Sequence, residues 1–165
     1  FDIWKQFGKI QVSASIDDIA DRNHYIRHPS DWETVTNHLQ QIMAEDWIET
    51  SICQTVSAYN YPYLGEFHNW ATKELGLHVH LNYVYDPKFL SPKVIHPEAR
   101  KQIHSQFRKD FGNHHALGNL LSMFDNDEWD EDGWKKFKVY NDRLDLIREQ
   151  DWREVFPKLV ELCDE

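Results

Sequence analysis

Cysteine, glycine and positive charge are all scarce in this sequence. The two cysteines, Cys53 and Cys163, lie far apart and form no CxxC pair. Neither a disulfide framework nor a zinc or iron–sulfur site follows from them. Six glycines leave no glycine-rich phosphate loop. No apolar run is long enough to span a membrane, and no signal-peptide pattern is present. Eighteen Lys and Arg stand against 28 Asp and Glu, for a net charge of −10. That balance argues against the clustered phosphate contacts of a nucleic-acid binder and against an anionic membrane surface. Sparse free thiols fit a reducing, cytoplasmic setting.

Aromatic side chains are abundant: 14% of 165 residues, with seven Trp. A chain of this length buries roughly 70% of its unfolded surface, enough for one domain with a real core.

Three segments alternate with the period of a strand. Ile10, Val12, Ala14 and Ile16 alternate with Gln11, Ser13, Ser15 and Asp17. Ile48, Thr50, Ile52 and Val56 alternate with Glu49, Ser51, Cys53, Thr55 and Ser57. Leu77, Val79, Leu81, Tyr83 and Tyr85 alternate with His78, His80, Asn82 and Asp86. Helical stripes separate them. One follows a capping box of Ser30 and Glu33 and carries Trp32, Val35, Leu39, Ile42 and Met43. The other runs from Pro62 to Gly76. The order β-α-β-α-β implies parallel strands with right-handed crossovers.

The remainder is helical: Pro97 to Phe111 stopped by Gly112, Ala116 to Phe124, Trp134 to Arg148, and Asp151 to Cys163 split at Pro157. Residues 1–90 are expected to form a half-barrel, with 91–165 a helical region packed on it.

A parallel sheet covered on both faces reads as near-continuous apolar runs. These strands do not; one face carries Ser, Thr, Gln, Glu, His and Asn. Such a face is either an exposed sheet surface or one side of a barrel interior that holds a polar ligand. In barrels, ligands gather at the C-terminal strand ends. Here those ends are Ser15, Asp17 and Asp18; Thr55, Ser57 and Asn60; and Asn82, Tyr85 and Asp86.

The run Val12-Ser13-Ala14-Ser15-Ile16-Asp17-Asp18 is followed by Arg22-Asn23-His24-Tyr25-Ile26-Arg27 and Pro29-Ser30-Asp31-Trp32. It resembles the central strand of radical S-adenosylmethionine (SAM) enzymes, in the branch with SPASM or twitch domains. Thr55-Val56-Ser57 with Asn60 resembles that family's next strand. Tyr140 to Arg148, with Val155-Phe156-Pro157-Lys158-Leu159, resembles its C-terminal helices. The resemblance implies a partial TIM-like β/α barrel, a four-iron cluster and SAM. It puts Ser15 near the SAM ribose and Arg27 near its carboxylate, with Asp17 at the strand end and Thr55 and Asn82 facing the lumen. The family's CxxxCxxC motif and its GGE-type segment are absent, and both belong upstream of this strand. With its opening on Phe1-Asp2-Ile3, the chain is expected to be a C-terminal piece. Its partner would be the missing N-terminal half of the barrel, and alone it would hold no cluster and be inactive. Exposed strand edges would favour self-association.

Two other functions remain open on the residues: a stand-alone binding protein, and a metal hydrolase. The hydrolase would use His78 and His80, two imidazoles on one strand face, with Glu49 or Asp17 adding a carboxylate. His114-His115 reads as exposed cap chemistry. Glu128, Asp130, Asp132 and Gly133 partly mimic a calcium loop, but Val139 stands where a bidentate Glu is needed. A solvated turn capped by Asp132 is the expected structure there.

Overall fold

The computed structural model describes residues 1–112, 115–126 and 128–163. The three alternating segments form strands β1 (Ile10–Ser15), β2 (Ile48–Val56) and β3 (His78–Tyr83). They make one open parallel sheet in the order β1-β2-β3. The third strand ends before Tyr85, which is exposed.

Helix α1 (Ala20–Ile26), not anticipated from the hydrophobic pattern, follows β1 directly. Helix α2 (Trp32–Met43) starts one residue later than the capping box implied. Asp31 is its N-cap, with Oδ2 accepting from the Thr34 amide at 2.7 Å. Ser30 instead offers its carbonyl to His24 Nδ1. The expected helix from Pro62 to Gly76 is broken into three. A 3-10 turn (Tyr61–Tyr63) leads into α3 (Leu64–Asn69), and a π-turn (Trp70–Glu74) completes it. The wider last turn ends with Gly76 at φ +69°, a conformation that suits glycine.

Helices α4 (Pro97–Phe111), α5 (His115–Met123), α6 (Glu131–Arg148), α7 (Trp152–Val155) and α8 (Pro157–Cys163) complete the chain. Helix α4 stops at Gly112, φ +61°. Pro157 divides α7 from α8, as proline's missing N–H requires.

Two clusters of buried side chains hold these elements together. Ile16, just after β1, and Ile52 and Val79 from the strands pack on Leu39 of α2 and on Phe67 and Ala71. Around the strand ends a second, aromatic cluster joins Tyr25, Tyr59 and Tyr63 to Phe137, Trp152 and Phe156. Phe156 is fully buried with its ring edge-on to Tyr25, at 5.4 Å between centroids. This cluster draws on residues before and after position 90, so the C-terminal helices close over the ends of the strands.

The turn before α6 departs from expectation. Asp130, not Asp132, caps that helix, accepting from the Gly133 amide at 2.8 Å. A calcium loop would turn carbonyls onto an ion; here they turn onto the fully buried guanidinium of Arg100. Nη1 donates to the Phe124 carbonyl at 2.8 Å, and Nη2 to those of Asn126 (3.2 Å) and Glu128. The His114-His115 pair lies outside the residues whose side chains are described.

Candidate functional site

Helices α2 and α3 cover only the apolar side of the sheet, so the polar side chains form a grid on its open face. Across the register, Gln11 stands beside Glu49, Ser13 beside Ser51 and His78, Ser15 beside Cys53 and His80, and Thr55 beside Asn82. Neighbours bond laterally: Gln11 Nε2 to Glu49 at 2.9 Å, and Ser51 Oγ to Ser13 Oγ at 3.2 Å. Asn82 Nδ2 lies 3.2 Å from Cys53 Sγ. Ser15, His78, His80 and Asn82 are all exposed on this face.

The grid ends at a buried polar hub. Every oxygen of Asp17 has a partner. Oδ1 accepts from the Thr55 amide at 2.7 Å, and Oδ2 pairs with Arg27 Nε at 2.8 Å. Its carbonyl accepts from Gln54 Nε2 (2.9 Å) and Asn60 Nδ2 (2.8 Å). Asn60 also accepts from the Ser57 amide at 2.7 Å, which locks the turn after β2. Buried amides survive in a core only with their bonds made, and these are. Asp17, Arg27 and Thr55 are thus gathered into one cluster. Ser15 and Asn82 stand one step away on the open face.

Asp18 faces the other way. Its side chain is fully buried, Oδ1 accepts from the Ile19 amide at 2.8 Å and forms an ion pair with Arg22 Nε at 3.0 Å, and Oδ2 has no hydrogen-bond partner among the described residues. Burial pushes its carboxyl up to about 7, against the opposing pull of Arg22. Arg22 continues to Glu66 at 3.0 Å and lies over the Tyr63 ring.

Beyond the hub, between the strand ends and α6, lies a cavity of about 150 Å³. Asp17, Thr55, Ser57 and Arg148 supply its polar wall; Ile26, Val84, Leu90 and Leu144 supply apolar surface. The sequence pattern did not single out Gln54 or Arg148. Gln54 sits where the apolar register of β2 should place a hydrophobic side chain, and that break in alternation was the available signal. Arg148 gave none, because it belongs to a helix distant in sequence.

The carboxylates expected beside His78 and His80 have other partners. The rings of His78 and His80 are 4.5 Å apart, but Glu49 is held by Lys9 and Gln11, and Asp17 by Arg27 and Thr55. Among the described residues no group of three or more His, Cys, Asp or Glu could hold a metal ion. Nor do the two cysteines fit an iron–sulfur cluster, since one lies on the sheet and the other in α8. A second buried pair, Tyr61 and His104, shares a 2.5 Å hydrogen bond. Burial pushes the Tyr61 phenol up and the His104 imidazole down, the latter against the pull of Asp125.

Among the described residues no helix is long and apolar enough to cross a membrane. Comparison with protein-family models, with curated proteins and with solved structures gave no match to this chain.

Proposed function

We propose that the chain is the C-terminal portion of a cytoplasmic radical SAM enzyme, inactive alone, whose open strand face is one wall of a SAM and substrate site in a partial TIM-like barrel. The observation that carries this is the wet, polar face of a parallel sheet whose other face is covered by helices. Parallel sheets are ordinarily buried on both sides, so a face left to Ser, Thr, His and Asn asks for a polar occupant and a second wall. Its residues suit the part. Ser15 offers an exposed hydroxyl, and Arg27, a third exposed, holds its guanidinium at the strand end against Asp17. This chain's own contribution is to bind and orient; the cluster and the radical chemistry would come from the absent half.

The test begins with the coding sequence upstream. A CxxxCxxC motif in the preceding ~150 residues, one domain's length, is expected; its absence overturns the proposal. The full reading frame, reconstituted anaerobically with iron and sulfide, should then cleave SAM to 5′-deoxyadenosine. A frame that carries the motif yet neither assembles a cluster nor cleaves SAM would also refute it.

A further inference from the structure

We infer that the cavity between the strand ends and α6 is a binding site for a small organic monocarboxylate with a short apolar body, and that Arg148 is its anion anchor. Three observations converge on it. First, among the described residues Arg148 forms no direct ion pair. One Nη donates to the Tyr25 carbonyl at 3.1 Å and the guanidinium leans over the Tyr25 ring, which leaves the rest of its fork unused. Second, the acid that shares the cavity cannot neutralise it, because the Asp17 carboxylate is already taken by Arg27 and the Thr55 amide. Third, the polar wall holds two hydroxyls with capacity to spare. Ser57 Oγ has only a long, 3.5 Å approach to Asn60, whose oxygen is better satisfied by the Ser57 amide, and Thr55 bonds here through its backbone.

Charge and size narrow the ligand. A second negative charge on the ligand would share the cavity with the Asp17 carboxylate, which favours a carboxylate over a phosphate dianion, and the planar fork of Arg148 fits a carboxylate through two parallel bonds. Ile26, Val84, Leu90 and Leu144 add apolar surface to the lining, beside the rings of Tyr25, Tyr59 and Tyr140. About 150 Å³ is room for roughly five waters at ~30 Å³ each, enough for a molecule the size of benzoate. Because α6 supplies Arg148 and Leu144, the C-terminal helices are part of the site and more than a prop for the sheet. The inference rests on this geometry and not on the radical SAM reading, although Asp17 and Thr55 serve both.

Titration calorimetry of the purified chain with benzoate, benzamide and inorganic phosphate tests it. Benzoate should bind, and benzamide and phosphate at least about tenfold more weakly. Arg148→Gln should weaken benzoate at least about tenfold, and Thr55→Val, which keeps the shape and removes the hydroxyl, a few-fold. Thermal melts establish that each variant is folded; if Arg148→Gln is not, Thr55→Val and the benzamide comparison carry the test. Equal binding of acid and amide, preference for phosphate, undiminished binding by a folded Arg148→Gln, or no binding of benzoate to the parent chain would each overturn the inference. An upstream sequence without cysteines would end the radical SAM proposal and leave this one standing.

Discussion

Replacing Arg100 by Leu should destabilise the fold by about 3 kcal/mol. The guanidinium is fully buried and donates to the carbonyls of Phe124, Asn126 and Glu128. Each hydrogen bond from a charged donor is worth roughly 1.5–3 kcal/mol net. The three do not simply add, because the loop can loosen and let water reach its carbonyls. Removing a buried charge also relieves some desolvation, which offsets part of the loss. What remains is the lower end of the roughly 3–5 kcal/mol seen when one partner of a buried charged network is deleted. Urea unfolding measures it. With a slope of about 2 kcal/mol/M, the midpoint should fall by about 1.5 M. Arg100→Lys keeps the charge but presents a single ammonium to carbonyls arranged around a fork, so its midpoint should fall between the two. Trp129 in the same turn, whose indole N–H donates to the Val94 carbonyl at 3.2 Å, should become more exposed in fluorescence quenching. A midpoint shift under about 0.3 M for the Leu variant, at unchanged slope, would refute the role given to these bonds.

Asp18 should make stability fall as pH rises. Its folded pKa, about 7, lies above the ordinary carboxylate value, so the folded state holds a proton that the unfolded state has lost. Stability from this group is full below about pH 4 and is lost as pH climbs towards 7. Asp18→Asn removes the titration, so its stability relative to the parent should improve by roughly 2 kcal/mol between pH 5 and pH 7; parallel pH profiles for the two proteins would exclude the effect. The sheet's two free edges and open polar face should also let the chain associate with itself. Light scattering should detect dimers or larger species as concentration rises, and a persistent monomer would count against it.

The strands were legible because alternation is a local signal. Their polar face could be read residue by residue, and Asp17, Arg27 and Thr55 are indeed neighbours. Pro157 and Gly112 announced their breaks through backbone chemistry that no tertiary context can override. What could not be read depends on contacts distant in the chain. Helix α1 is short and nearly without an apolar stripe, held by Tyr25 reaching Asn141 and Asp145 on α6. Arg100 looks like any helical arginine until the turn 24 residues later closes over it. The choice of Asp31 over Ser30, and of Asp130 over Asp132, as caps depends on where each helix begins, a shift of one or two residues that the pattern leaves open.

The register of the sheet gives its two edges different characters. In a parallel ladder the amides of alternate residues point to opposite sides of the strand. Ile16 donates to the Cys53 carbonyl, so along β1 the even-numbered amides face β2 and those of Gln11, Ser13 and Ser15 face outward. Val84 donates to the Val56 carbonyl, so along β3 the even-numbered amides are engaged and those of Val79, Leu81 and Tyr83 face outward. A strand added beside β1 would therefore bond through the same residues whose side chains stand on the polar face. One added beside β3 would bond through residues whose side chains belong to the core side. Deuterium exchange should show the odd-numbered amides exchanging first on both strands, and the strand whose odd-numbered amides become protected when a partner arrives is the edge it has joined.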